Sequence, residues 1–174
     1  MENNFTLINY FETPTILQKL GLLKESDWIG NKARLKNIDA YLRTQTIVVR
    51  GKNWIDCHPD YTNKFEKLFE KELIDLHNFF LYLYKKGQLT TFTIVKLPAT
   101  STISSHKNDN LDLGCKRYVL PVLTNPDVHF QVGDERKSVC ANEIWEINTS
   151  DNFRVENYSC NDCIHIIFDW KLEA

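Results

Sequence analysis

The chain has 174 residues, 43% of them hydrophobic, with 21 Lys and Arg against 23 Asp and Glu for a formal net charge of −2. That length suits one domain, 1–174, with a core of its own, and the charge balance excludes a general nucleic-acid binder, which needs a concentrated basic face. No apolar run reaches the ~20 residues of a membrane span, the opening MENNFTLINYFE lacks the basic and apolar regions of a leader, and five cysteines suit reduced thiols; the expectation is a soluble, cytoplasmic protein without nucleic-acid or membrane partners.

In chain order, residues 1–87 read as mostly helical and 88–174 as mostly strand. Thr13-Pro14 offers a hydroxyl at N-cap and proline at N1, opening a helix through TILQKLGLL that Gly21 weakens at its end. TQTIVVRG is short and β-branched, which predicts a strand. Lys64–Lys86 is the clearest helix: Phe65, Leu68, Phe69, Leu73, Leu76, Phe80 and Leu83 recur at spacings of three and four, and Gly87 supplies a stop. From Leu89 the period changes. TTFTIVKL, KRYVLPVL, DVHFQV, RKSVCA, EIWEI, FRVENY and CIHIIFDW are short β-rich runs between turn formers. Gly133-Asp134 predicts a hairpin, and Asn125-Pro126-Asp127 and Ala141-Asn142-Glu143 predict turns, with Asn142 suited to positive φ. Seven strands with no helix between them predict antiparallel pairing in a closed sandwich or jelly roll, the helical front half packed on one sheet.

The candidate chemistry begins with the five histidines. His77 lies beside the apolar stripe of the long helix and reads as a packed residue. His58 sits in the loop cluster Asp56, Cys57, His58 and Asp60, whose spacing matches no zinc pattern. His129 alternates with Val128 and Phe130 across a strand. Cys160-x-x-Cys163 has no second CxxC and spans a turn into a strand, so it reads as coincidence. His106 differs, because Asp109 follows three residues later and His165 comes much further on. A His, a nearby carboxylate and a distant His can line one side of an iron and leave open positions for cosubstrate and oxygen.

The segments that carry this pattern are IVKLPATSTISSHKND, then CKRYVLPVLTNPDVHFQVGDERKSVCANEIWEINTSDNFRVEN, then CIHIIFDW. Their order resembles the aspartyl/asparaginyl β-hydroxylase family, double-stranded β-helix oxygenases that use Fe(II) and 2-oxoglutarate. The match runs over about residues 89–170: Leu97-Pro98 with Ile103 and His106, Arg117 with Leu120-Pro121, Asn142-Glu143 with Trp145 and Ile147-Asn148, Val155 with Asn157, and Ile164-His165-Ile166 with Asp169-Trp170. The resemblance implies a mainly β, cupin-like double-stranded β-helix preceded by a helical N-terminal region. It places His106 at the first iron ligand and Arg117 at a carboxylate of 2-oxoglutarate.

At three further positions the resemblance implies a loss. Phe153 stands where the second iron-binding histidine belongs, Val119 where a cosubstrate-binding histidine belongs, and Cys163 where the last arginine belongs. A phenyl ring has no lone pair, and a thiol cannot replace a bidentate guanidinium. A buried dicarboxylate without its arginine costs roughly 3–5 kcal/mol. All three changes move the interior toward apolar. Two main readings follow, beside a third, a cupin-like enzyme using a different metal or none. In the first, the iron and cosubstrate site has degenerated, no cofactor is expected, and the chain binds a small molecule or a peptide side chain, with Arg117 as the anchor. In the second, Fe(II) and 2-oxoglutarate are retained on an unusual ligand set of His106 with Asp109 or His165, and the chain hydroxylates an amino acid or peptide residue.

Overall fold

Alternation of side chains along a strand fixes which residues face a core, and the last strand sets the pattern for the whole molecule. The computed structural model describes residues 3–29, 43–51, 59–107, 111 and 113–172. Its strands are β1 (Phe5–Tyr10), β2 (Gln45–Arg50), β3 (Gln88–Leu97), β4 (Thr102–Lys107), β5 (Cys115–Leu123), β6 (Val128–Val132), β7 (Glu135–Lys137), β8 (Glu143–Ile147), β9 (Asn152–Asn157) and β10 (Cys163–Lys171). The helices are α1 (Pro14–Leu20), α2 (Glu25–Ile29), α3 (Pro59–Leu68) and α4 (Glu70–Tyr84). The strands form a six-stranded sheet in the order β1-β8-β5-β10-β3-β2 and a four-stranded sheet in the order β4-β9-β6-β7. Every described pairing is antiparallel.

Strand β10 is central in the larger sheet and buried along all but its last residue. Ile164, Ile166, Phe168 and Trp170 point to one side, where they join Ile16 and Leu20 of α1, Phe69 between the two long helices, and Leu73, Leu76 and Phe80 of α4 in one core. Cys163 and Ile167 point to the other side and meet Ile103, Phe130, Phe153 and Val155 of the smaller sheet in a second core. The face assignment expected from strand period therefore holds. Burying a large apolar side chain of this kind stabilises by about 1.5–3 kcal/mol, so both layers matter to the fold.

The front half is more mixed than its composition suggests. β1 and β2 are strands of the larger sheet, and β1 pairs with β8 from the far end of the chain. FTLINY buries only Phe5 fully, so its alternation is too weak to read as a strand. β4 is also missed, because Ser104 and Ser105 interrupt the apolar pattern of TISSHK. RKSVCA supplies only the short strand β7; beyond it the Ser138 hydroxyl donates to the carbonyls of Pro126 and Val128, both at 3.0 Å.

The single helix expected over 64–86 is two, broken at Phe69 (φ −102°, ψ 17°). Lys85, in the left-handed region at φ 65°, ends α4 by donating its N–H to the Leu81 carbonyl. Gly87 has a different task from the stop expected of it: a Cβ there would lie 2.4 Å from the Trp170 indole nitrogen. Thr13 precedes α1 without capping it by its side chain. Its hydroxyl and N–H donate instead to the Asn142 side-chain oxygen, at 2.9 and 3.2 Å, which ties the helix to a turn where Asn142 has the positive φ expected of it (69°). The Gly133-Asp134 hairpin joins β6 to β7 as expected. Among the described residues no helix is long and apolar enough to cross a membrane.

Candidate functional site

The space between the two sheets is where the candidate chemistry converges. His106 on β4 pairs across the ladder with Phe153 on β9, and their rings meet edge to face with centroids 6.0 Å apart. The half-exposed imidazole holds its Nδ1 2.8 Å from the Ser104 carbonyl oxygen. A carbonyl only accepts, so Nδ1 carries the proton and the lone pair of the neutral ring lies on Nε2.

Inward from His106 the donors give way to hydrocarbon. Phe153 is buried and lies 6.2 Å from Phe130, whose ring stands edge-on to His165 at 5.4 Å. The rings of His106, Phe153, Phe130 and His165 make a chain of successive contacts. Val119 pairs with Ile167 on one side and Trp145 on the other and belongs to the same buried cluster. Cys163 is buried there too, and its loss of solvent pushes the thiol pKa up to about 12. A thiol so held stays protonated and is a poor ligand or nucleophile.

Arg117 faces Asp169 across the β5–β10 ladder. Its Nε donates to Oδ1 at 2.7 Å and a terminal nitrogen donates to Oδ2 at 2.8 Å, with the two side chains 13% and 5% exposed. This is a closed, bidentate fork on an internal carboxylate. An incoming carboxylate must displace Asp169 to take the Nε–Nη edge of that guanidinium.

The structure thus brings His106 to Phe153, Phe130 to His165 and Arg117 to Asp169. Asp109 lies outside the described residues, as do Asp56, Cys57 and His58. His77 tilts against Trp170 at 5.3 Å, and His129 meets the Tyr158 ring at 6.1 Å. Cys160 is exposed while Cys163 is buried, so the two thiols of the CxxC pair sit at different depths. The residue that sequence reasoning passed over is Phe130; its signal was the V-H-F-Q-V alternation, which sends Phe130 inward whenever His129 faces out.

Among the described residues no three His, Cys, Asp or Glu side chains come together as a metal site. The donors among the described residues do not fit iron with 2-oxoglutarate: one imidazole faces a phenyl ring, a valine and a thiol stand at the positions the resemblance gives to the cosubstrate, and the guanidinium pairs with Asp169.

No family model matches the chain, and no curated protein does. Among solved structures it is similar to an oxidoreductase of the 2OG-Fe(II) oxygenase family from Burkholderia pseudomallei, with TM-score 0.51 and 10% identity over 74% of this chain and 65% of that one. It is also similar to a predicted oxalate decarboxylase from Thermotoga maritima (TM-score 0.39, 17% identity, 53% of this chain and 72% of that one). A third is a cupin 2 conserved barrel domain protein from Salinispora arenicola (TM-score 0.36, 9% identity, 47% and 61%). The chain spans slightly less than two thirds of the oxygenase's length. At such identities the likeness speaks for the fold alone, which is the double-stranded β-helix of cupins and 2-oxoglutarate oxygenases.

Proposed function

We propose that this cupin-fold chain is an aspartyl/asparaginyl β-hydroxylase-like protein without the iron and 2-oxoglutarate chemistry of that family, and that it works as a binding or scaffolding module for an amino-acid or peptide side chain. The observation that carries the reading is the cross-strand pair of His106 and Phe153. An iron centre needs a second donor beside His106, and the opposing side chain supplies a phenyl edge. The neighbouring substitutions agree with it. Val119 and Cys163 lie in the same apolar cluster as Phe153, so the former polar positions are now packing positions. Fe(II) and 2-oxoglutarate are therefore not required cofactors in this reading. Asp169 supplies Arg117 with a carboxylate from within the chain, which removes the buried, unpaired cation that an empty cosubstrate site would leave.

The test is direct. Anaerobic protein receives Fe(II) and 2-oxoglutarate at millimolar concentration and is followed by visible absorbance and by succinate release after oxygen is admitted. The expected result is neither a charge-transfer band nor succinate. A band accompanied by stoichiometric succinate overturns the proposal in favour of an active hydroxylase. Thermal-shift screening against free amino acids and short peptides tests the binding half, with stabilisation by at least one of them as the expected result.

A further inference from the structure

Among the described residues, three of the four sheet faces are covered. The helices pack on one side of the larger sheet, and the two sheets pack on each other. On the remaining face, the outside of β4-β9-β6-β7, no described helix is packed. Strand period and register place Arg154 and Glu156 of β9, His129 and Gln131 of β6 and Arg136 of β7 on this face. The Glu156 side chain is only 7% exposed, although it belongs to an outer face. It is held there by Arg136 at 3.2 Å, by Arg154, and by the Tyr158 hydroxyl, whose pKa rises because it hydrogen-bonds to that carboxylate. The Arg136 guanidinium lies over the Tyr158 ring at 5.5 Å.

Two guanidiniums, 45% and 41% exposed, are thus fixed side by side over one carboxylate. Their charges exceed that of Glu156 by one, so this cluster carries a net positive charge in a chain whose total is −2. Glu156 also sets their orientation in advance, which lowers the entropic cost of binding an anion. We infer that this face docks an acidic peptide segment, with one carboxylate of the segment lying across Arg136 and Arg154. The inference rests on the peptide-binding reading above and gives it a place and a ligand chemistry. One net positive charge is too little for a polyphosphate backbone, whose affinity comes from neutralising many phosphates at once. Among the described residues Tyr158 is the large hydrophobic ring alongside these polar groups, which is too little for the apolar centre of a stable dimer interface.

The probe is a fluorescein-labelled peptide of alternating glutamate and serine, read by anisotropy against the full chain at low and moderate salt. Binding that weakens with salt is expected, and the matching glutamine-serine peptide is expected not to bind. Arg136→Gln and Arg154→Gln are each expected to weaken binding about tenfold. Arg136 sits on the short edge strand, so Arg136→Gln keeps the test valid if the Arg154 variant fails to fold. The inference is overturned by absence of binding at millimolar peptide, by equal binding of the neutral peptide, by indifference to both substitutions, or by tighter binding of a labelled oligothymidylate. It is also overturned if the wild-type chain self-associates through this face, seen as a concentration-dependent mass that Arg136→Gln abolishes. Iron-dependent succinate formation leaves the anisotropy result standing and overturns only the reading of the barrel. Loss of peptide binding without succinate overturns the docking surface alone.

Discussion

Phe153 and Cys163 show what the interior of this barrel is made to do. Phe153 touches His106 on one side and Phe130 on the other and is almost wholly removed from water. Truncation to alanine leaves a phenyl-sized void, so Phe153→Ala is expected to cost about 3–5 kcal/mol. For a chain of this length that lowers the calorimetric Tm by roughly 10 °C or more. An iron-site position carrying a spare ring would tolerate the change far better. The thiol of Cys163 gives a pH-dependent check. Burial raises its pKa from an ordinary 9.0 to about 12, so the fold favours the protonated form. The associated stability is whole below pH 9.0 and is lost as pH rises toward about 12. Denaturant midpoints measured from pH 8 to 11 are therefore expected to fall more steeply for wild type than for Cys163→Ala, and iodoacetamide is expected to label Cys140 and Cys160 well before Cys163.

Between elements, two polar arrangements fasten strands that the cores alone do not register. The Arg117–Asp169 fork joins β5 to β10 on the barrel side of the larger sheet. Removing the acid takes the bidentate carboxylate from a guanidinium only 13% exposed, so Asp169→Ala is expected to destabilise by about 3 kcal/mol, while a double Arg117→Met, Asp169→Leu variant recovers most of that loss. At the other end of the barrel, the buried Asn157 amide donates to the carbonyls of Leu97, Pro98 and Asn161, and its oxygen accepts from the Ser159 N–H and hydroxyl. Asn157→Asp would aim carboxylate oxygens at three carbonyls and is expected to cost more than Asn157→Ala, a reversal of the usual order of conservative change. Urea unfolding of both variants reads the difference. Much at this scale was legible in the sequence. Alternation in CIHIIFDW separates the two faces of β10, and the β3, β5, β6, β8 and β9 runs were recognisable from β-branched and aromatic content. What was not legible had no local signal. β1 is an edge strand whose partner lies at the opposite end of the chain, and β4 carries two serines where apolar residues were expected. Thr13 looked like a helix cap, but tertiary contact with Asn142 claimed its hydroxyl.

At the scale of the molecule, one sheet serves two cores, and the chemistry expected from the resemblance falls in the second. The candidate site was half legible: His106, Phe153, Val119, Cys163 and Arg117 all occupy the inter-sheet side or its rim. The pairing of Arg117 with Asp169 had no local signal, since Asp169 lies far along the chain and only the strand register brings the two together. The paired arginines on the outer face escaped notice because R-x-E-x-Y in FRVENY reads as ordinary strand polarity until β7 adds Arg136 beside it. The central claim is that a phenyl ring beside His106 leaves iron without a second donor. Iron content after anaerobic incubation with excess Fe(II) and desalting tests it most directly: the account predicts far less than one iron per chain, and one tightly held iron per chain would contradict it.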